Sequence, residues 1–156
     1  MPPAASKLAP LDPERIITIL AKHGGFPRVT ADADITPARD PDNLTRLAAA
    51  LRELAARIFT EGLPEGLAFD CSPQILARAG LWNLITSAGW PDLAFAPSGT
   101  TGYDDLSKGA VRFTVYGVEL LAARLEDIIR SKEAAARPQD RQDVVVMREM
   151  LRRRKV

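Results

Sequence analysis

The chain has one cysteine and one histidine in 156 residues. The lone Cys71 excludes an internal disulfide, and one Cys with one His cannot build a zinc centre from those ligands. Nucleophilic catalysis of the Ser-His-Asp or Cys-His kind would have to use His23. Beside the helix-ending Gly24, that histidine reads more simply as a partner for a helix C-terminus. No apolar run approaches the length of a membrane-spanning helix. Charge of one sign is missing too: 21 Lys and Arg stand against 20 Asp and Glu, a net of +1. No overall field therefore points to nucleic acid or to a membrane. The Ala/Pro-rich start, residues 1–11, lacks a basic segment followed by an apolar core. It reads as a disordered terminus and not as a signal peptide.

What is present is an ordinary globular composition, 46% hydrophobic and 26% charged, enough for one domain over residues 12–156. The charge is unevenly placed. Residues 148–155 hold five basic side chains and one acid. With free thiol chemistry and no membrane span, a cytoplasmic setting is expected.

The most informative stretch is Arg28-Val29-Thr30-Ala31-Asp32-Ala33-Asp34-Ile35. In a strand, residues i and i+2 face the same way. Asp32 and Asp34 would then present both carboxylates to one point, while Ala31, Ala33 and Ile35 face the core. Two like charges held together call for a cation. Mg²⁺, which favours one or two carboxylates plus phosphate oxygens, suits them. Gly24-Gly25-Phe26-Pro27-Arg28 gives a flexible, cationic approach to the same place. Set against this, an Asp-x-Asp spacing arises easily by chance. Without the flanking alternation, solvated loop aspartates would be the better reading.

Asp12-Pro13-Glu14 opens a first helix that ends at Gly24. Asp40-Pro41-Asp42 opens a second, with an apolar stripe of Leu44, Leu47, Ala48, Leu51, Leu54, Ala55 and Ile58. Gly62 to Gly66 reads as a loop and Leu67 to Cys71 as a short strand. Ser72-Pro73 starts a short helix to about Ala79. Leu81 to Thr86 and Asp92 to Ala96 are expected strands, joined tightly through Ala88-Gly89-Trp90-Pro91. Ser98 to Gly102 is a Gly/Thr-rich loop. Val111 to Tyr116 and Val118 to Ala122 form a hairpin about Gly117. The C-terminal region, 124–156, holds two helices, Arg124 to Ala136 and one beginning at Pro138. The pattern predicts an α/β (α+β) fold in which helices flank a mixed sheet of roughly five strands.

Asp92 stands at the mouth of a predicted core strand. Were that strand a neighbour of the Asp32/Asp34 strand, three carboxylates could hold two metal ions. Taken alone, Asp92 is better explained as a strand-end or turn aspartate. Lys132 lies near the buried side of its helix, marked by Ile128 and Ile129, and a buried lysine needs a partner. A phosphate or an aspartate would serve. Asp140 could cap the next helix, pair with Lys132, or do both. A solvated helix face with ordinary caps explains these residues equally well. Trp82, Trp90 and Tyr103 could stack on bases, but Trp82 and Trp90 read better as core or strand-edge residues.

Together these residues resemble the nucleotidyltransferase superfamily, in particular the small AbiEii-like and MenT-like toxins of bacterial toxin–antitoxin systems. The resemblance is carried by Phe26-Pro-Arg-Val-Thr-Ala-Asp-Ala-Asp-Ile35, Asp42-Asn-Leu44 and Pro91-Asp-Leu93. Further on it is carried by Pro97-Ser-Gly99, Gly102-Tyr-Asp-Asp-Leu106, Leu125-Glu-Asp-Ile-Ile-Arg-Ser-Lys-Glu-Ala134 and Arg137-Pro-Gln-Asp140. It implies a nucleotidyltransferase fold and Mg²⁺-dependent transfer of a nucleoside monophosphate from an NTP, with two ions expected. Asp32 and Asp34 match the family's metal-binding pair. Asp92 matches its third carboxylate, serving as base or metal ligand. Arg28 and Thr30 match the residues flanking the triphosphate, and Lys132 and Asp140 match the downstream functional lysine and aspartate. The acceptor it implies is RNA, with the tRNA 3′ acceptor end as the leading candidate, and a cognate antitoxin is the implied partner. The basic tail Arg152, Arg153, Arg154 and Lys155 could contact RNA phosphates. It could equally serve as favourable charge at a helix C-terminus.

The chain departs from the family in one place. Members usually carry a hydrophobic strand and a Gly-Gly or Gly-Ser turn ahead of the Phe-Pro-Arg-like segment. Here the first helix runs from Lys22-His23-Gly24 directly into Gly25-Phe26-Pro27, so that strand and turn are expected to be missing. The turn's backbone N–H groups normally face the triphosphate, and Gly25 is left to supply part of that contact. The alternative expectation is a catalytically impaired module of the same fold that binds RNA or a partner protein. Transfer to a small molecule or a protein hydroxyl is a third, which the basic tail argues against mildly.

Overall fold

The computed structural model describes residues 34–154. The first predicted helix and the strand residues up to Ala33 lie outside the described residues. Among the described residues the fold is α+β: a five-stranded mixed sheet, a separate two-stranded sheet and five helices. No helix among them is long and apolar enough to cross a membrane.

The first helix among the described residues, α1 (Pro41–Glu53), begins where its sequence predicts. Asp40 Oδ1 accepts from the Asn43 N–H at 2.9 Å, and Pro41 takes the first helical position. Its end differs from expectation. The apolar stripe suggested a helix running to Ile58, yet Ala55 turns left-handed at φ +53°. The Ala56 N–H then donates to Leu51 O at 2.9 Å and the Ala55 N–H to Arg52 O at 3.0 Å. These are the two bonds of a Schellman closure. An alanine fills the position glycine usually marks, so the sequence carries no stop signal there.

Ile58 therefore belongs to β2 (Arg57–Thr60), which pairs antiparallel with β3 (Leu63–Leu67) about a turn at Gly62. The expected loop over 62–66 is thus mostly strand, and the expected strand over 67–71 keeps only Leu67. Two residues hid β3. Pro64 is tolerated because β3 is the outermost strand of its sheet. Gly66, at φ +71°, sits where a Cβ would come within 2.8 Å of Ile58 O, beside the register irregularity between Ile58 and Thr60.

Ser72 caps the short α2 (Pro73–Leu76). The strands β4 (Leu81–Ile85) and β5 (Asp92–Ala94) follow as read from the sequence, and β1 (Asp34–Ile35) pairs parallel to β5. The sheet order is β1-β5-β4-β2-β3. One buried cluster joins Leu47, Leu51 and Leu54 around α1 to Leu76, Leu84, Leu93 and Phe95. Cys71 belongs to it, and burial pushes its thiol up to about 11, which makes it unreactive.

After α3 (Tyr103–Ser107), the hairpin β6 (Val111–Val115) and β7 (Val118–Ala122) stands as its own sheet about Tyr116 and Gly117. The count of five strands in the main sheet agrees with the expectation of roughly five, and β2, which the sequence reading left inside or after the helix, is one of them. The chain ends in α4 (Leu125–Ala135) and α5 (Pro138–Arg153), which pack on each other.

Candidate active site

Period-two alternation builds the first half of the site. Ile35 and Leu93, at 2% and 0% exposure, point into the core, so Asp34 and Asp92 point the other way. In the parallel β1–β5 pair Asp34 stands directly beside Asp92, on strands about 4.8 Å apart. On the other side of β5, Asn83 of β4 is in register with Asp92, and its Nδ2 donates to Asp92 Oδ1 at 2.8 Å. Asp34, Asp92 and Asn83 thus form one polar row across three strands. The adjacency that sequence alone left open is met for Asp34 and Asp92.

The second half lies at the junction of α4 and α5. Asp140 is 1% exposed and its two oxygens accept four hydrogen bonds. Oδ1 takes Lys132 Nζ at 3.3 Å and Arg137 NH2 at 3.1 Å. Oδ2 takes Arg137 Nε at 2.7 Å and the Arg137 backbone N–H at 3.2 Å. The last of these closes a capping box at the start of α5. Asp140 therefore both caps its helix and pairs with Lys132. Arg137, followed by Lys132, holds its carboxyl down at about 2 against the opposing effect of burial. Lys132 also donates to Asp143 at 2.8 Å, the main reason its own pKa is raised. Arg137 is raised chiefly by Asp140, and Asp34 contributes through its charge. Arg137 therefore lies within range of the charge on Asp34.

The loop after β5 ties these halves together mechanically. A Cβ on Gly99 (φ +68°) would lie 2.7 Å from Ala134 Cβ, so only glycine lets α4 settle there. Arg130 adds a second tie, reaching Asp105 at 3.0 Å and Asp127 at 3.1 Å. On the far side of the loop after β1, Arg39 lies over the Phe95 ring at 4.5 Å and donates to Ala77 O.

Of the expected site residues, Asp34 with Asp92 and Lys132 with Asp140 are brought together as pairs. Asp32, Gly25, Arg28, Thr30 and Lys155 lie outside the described residues. Arg152 and Arg153 are exposed at the end of α5, both paired to Glu149, and Arg154 is the exposed residue that follows. That basic tail begins about 18 Å along the helix from Asp140. Among the described residues no group of three or more His, Cys, Asp or Glu side chains converges. The carboxylates that the described strands bring side by side are Asp34 and Asp92, a hard oxygen donor set suited to Mg²⁺.

Three residues that sequence reasoning assigned no role belong to the site: Asn83, Arg137 and Asp143. Asn83 is the polar residue inside Leu81-Trp82-Asn83-Leu84-Ile85, and a polar residue mid-strand is a usable signal. Arg137 is announced only by its place before Pro138 and three residues ahead of Asp140. Trp82 has the packing role expected, stacking on Phe69 and donating to Leu76 O at 3.1 Å. Comparison of the chain with protein-family models, curated proteins and solved structures gave no match.

Proposed function

We propose that this chain is an Mg²⁺-dependent nucleotidyltransferase that moves a nucleoside monophosphate from an NTP to RNA. The leading acceptor is the tRNA 3′ end, and the setting is the cytoplasm, as the toxin of a toxin–antitoxin pair. The observation that carries the reading is the register of Asp34 with Asp92 on adjacent parallel strands, with Arg137 of the α4–α5 junction within range of the charge on Asp34. A structural ion pair has no need of two carboxylates side by side on the face of the sheet turned from the core.

Asp34 and Asp92, with Asp32, would hold the metal, which when bound neutralises charge on the triphosphate. The acceptor hydroxyl oxygen attacks the α-phosphorus, the bond to the bridging oxygen breaks, and pyrophosphate leaves. Asn83 engages Asp92 Oδ1, which leaves Oδ2 to receive the acceptor's proton. Lys132 and Arg137 supply fixed positive charge toward the leaving phosphates. The exposed arginines at the end of α5 offer a track for RNA phosphates, with the salt dependence such contacts bring. A cognate antitoxin is the proposed protein partner.

The test is transfer of α-³²P label from each of the four NTPs to total tRNA with Mg²⁺. Label on tRNA that disappears in a folded Asp34→Ala protein is the expected result. RNA binding without labelled product from the wild type would replace this reading with a non-catalytic binding module.

A further inference from the structure

We propose that Arg137 is the residue that grips the terminal phosphates of the NTP, and that Asp140 is a positioning residue which clamps Arg137 and Lys132. This rests on the nucleotidyl-transfer reading above and reassigns one of its residues. The family resemblance makes Asp140 a functional aspartate, one that would touch substrate or metal. Its surroundings leave little room for either. At 1% exposure, with four donors on two oxygens, it has no open face toward a metal or an acceptor hydroxyl.

Arg137 is placed differently. Its side chain is 60% exposed although Asp140 fixes it. The bonds to Asp140 use Nε and NH2, and among the described residues NH1 makes no hydrogen bond. A guanidinium held along one edge presents the other in a set orientation. Such preorganisation reduces the ordering cost of gripping a phosphate. Position agrees with this. Gly99, seven residues past Asp92, sits against Ala134 and Arg130 O, which seats the last turn of α4 on the loop leaving β5. Arg137 follows directly after that turn, within electrostatic reach of Asp34. A triphosphate whose α-phosphate lies at the Asp34–Asp92 row would have its outer phosphates extend toward this cation. Lys132 is less available, being 22% exposed and shared between Asp140 and Asp143.

The test is calorimetric binding of Mg²⁺–tripolyphosphate and of a non-hydrolysable NTP to the full chain, in parallel with label transfer. Arg137→Gln removes the charge. Arg137→Lys keeps a cation beside Asp140 and loses the fork, which guards against a loss due only to misfolding. Arg148→Gln, about 16 Å along α5 from Arg137 and paired with Glu133 of α4, is the control. Both Arg137 variants are expected to weaken tripolyphosphate binding by roughly 10- to 100-fold, with KM for NTP rising and Arg148→Gln unchanged. Asp140→Asn should weaken the same binding while leaving metal binding at Asp34 and Asp92 intact, a split that a metal-ligand role for Asp140 would not allow. Unchanged tripolyphosphate affinity in folded Arg137→Lys and Arg137→Gln, with wild-type transfer present, overturns this proposal and leaves the transferase reading standing. No binding of either ligand to the wild type overturns both.

Discussion

The α1–sheet layer and the α4–α5 pair are built from opposite chemistry. The first is a dry cluster in which Leu51, Leu54, Leu76, Leu84 and Leu93 are all 1% exposed or less. The second buries only Ile129 and Val144 among its apolar side chains and encloses Asp127 and Asp140 as well. It is held by Arg124, Arg130, Lys132 and Arg137 on those two carboxylates. An apolar layer is tolerant of detail and gives stability through area removed from water. A charged cluster is a poor source of stability, because desolvating its ions offsets much of their attraction. The ionic half of this molecule is therefore better explained as a device for placing charge than as a staple. One of its cations, Arg137, lies within range of the charge on Asp34 in the polar row that the apolar half turns outward.

Mutations can sharpen or break that contrast. The largest stability loss is expected in the apolar half: Leu51→Ala should cost about 2–5 kcal/mol in chemical denaturation, with nucleotide binding kept in the fraction still folded. A loss well under this range would mean that the α1–sheet cluster is not the chief stabilising layer.

Acid titration should isolate the ionic half. The Asp140 carboxyl lies at about 2 when folded, below its ordinary value of 3.8. A depressed carboxyl contributes stability that is complete above its unfolded value and is lost as pH falls through its folded one. Wild-type stability should accordingly decline as pH drops from 3.8 toward about 2, and Asp140→Asn should flatten that part of the curve. An unchanged slope in the variant would assign the acid transition to other carboxylates. Smaller still is the effect of the α1 cap. Asp40→Ala should remove about 1 kcal/mol, measured by thermal denaturation at neutral pH, without altering nucleotide transfer.

The same contrast explains what the sequence could reveal. Elements announced by local chemistry were legible: Asp40-Pro41 and Ser72-Pro73 open helices, and Gly117 turns the hairpin. So was the alternation that sends Ile35 inward and Asp34 outward. The end of α1 was not, because a left-handed alanine closes it where a glycine would have given notice. Strand β3 was hidden because Pro64 and Gly66, the usual marks of a loop, are accommodated by an outermost strand and a bulge. For the candidate site, residue type and placement drew attention to Asp34, Lys132 and Asp140, since paired acids and a lysine near an apolar face need partners, while Asp92 gained a role only through the family resemblance. Asn83 and Arg137 were given no role because theirs depend on cross-strand register and on a helix junction, neither of which is written in local sequence.

The most direct measurement is Mn²⁺ binding, followed by electron paramagnetic resonance in the presence of a non-hydrolysable NTP, for wild type, Asp34→Asn and Asp92→Asn. The account predicts saturable bound Mn²⁺ in the wild type that is lost in each variant while the fold is retained. Equal Mn²⁺ binding in all three proteins, or none in the wild type, would contradict the claim that the Asp34–Asp92 row is a metal–nucleotide site.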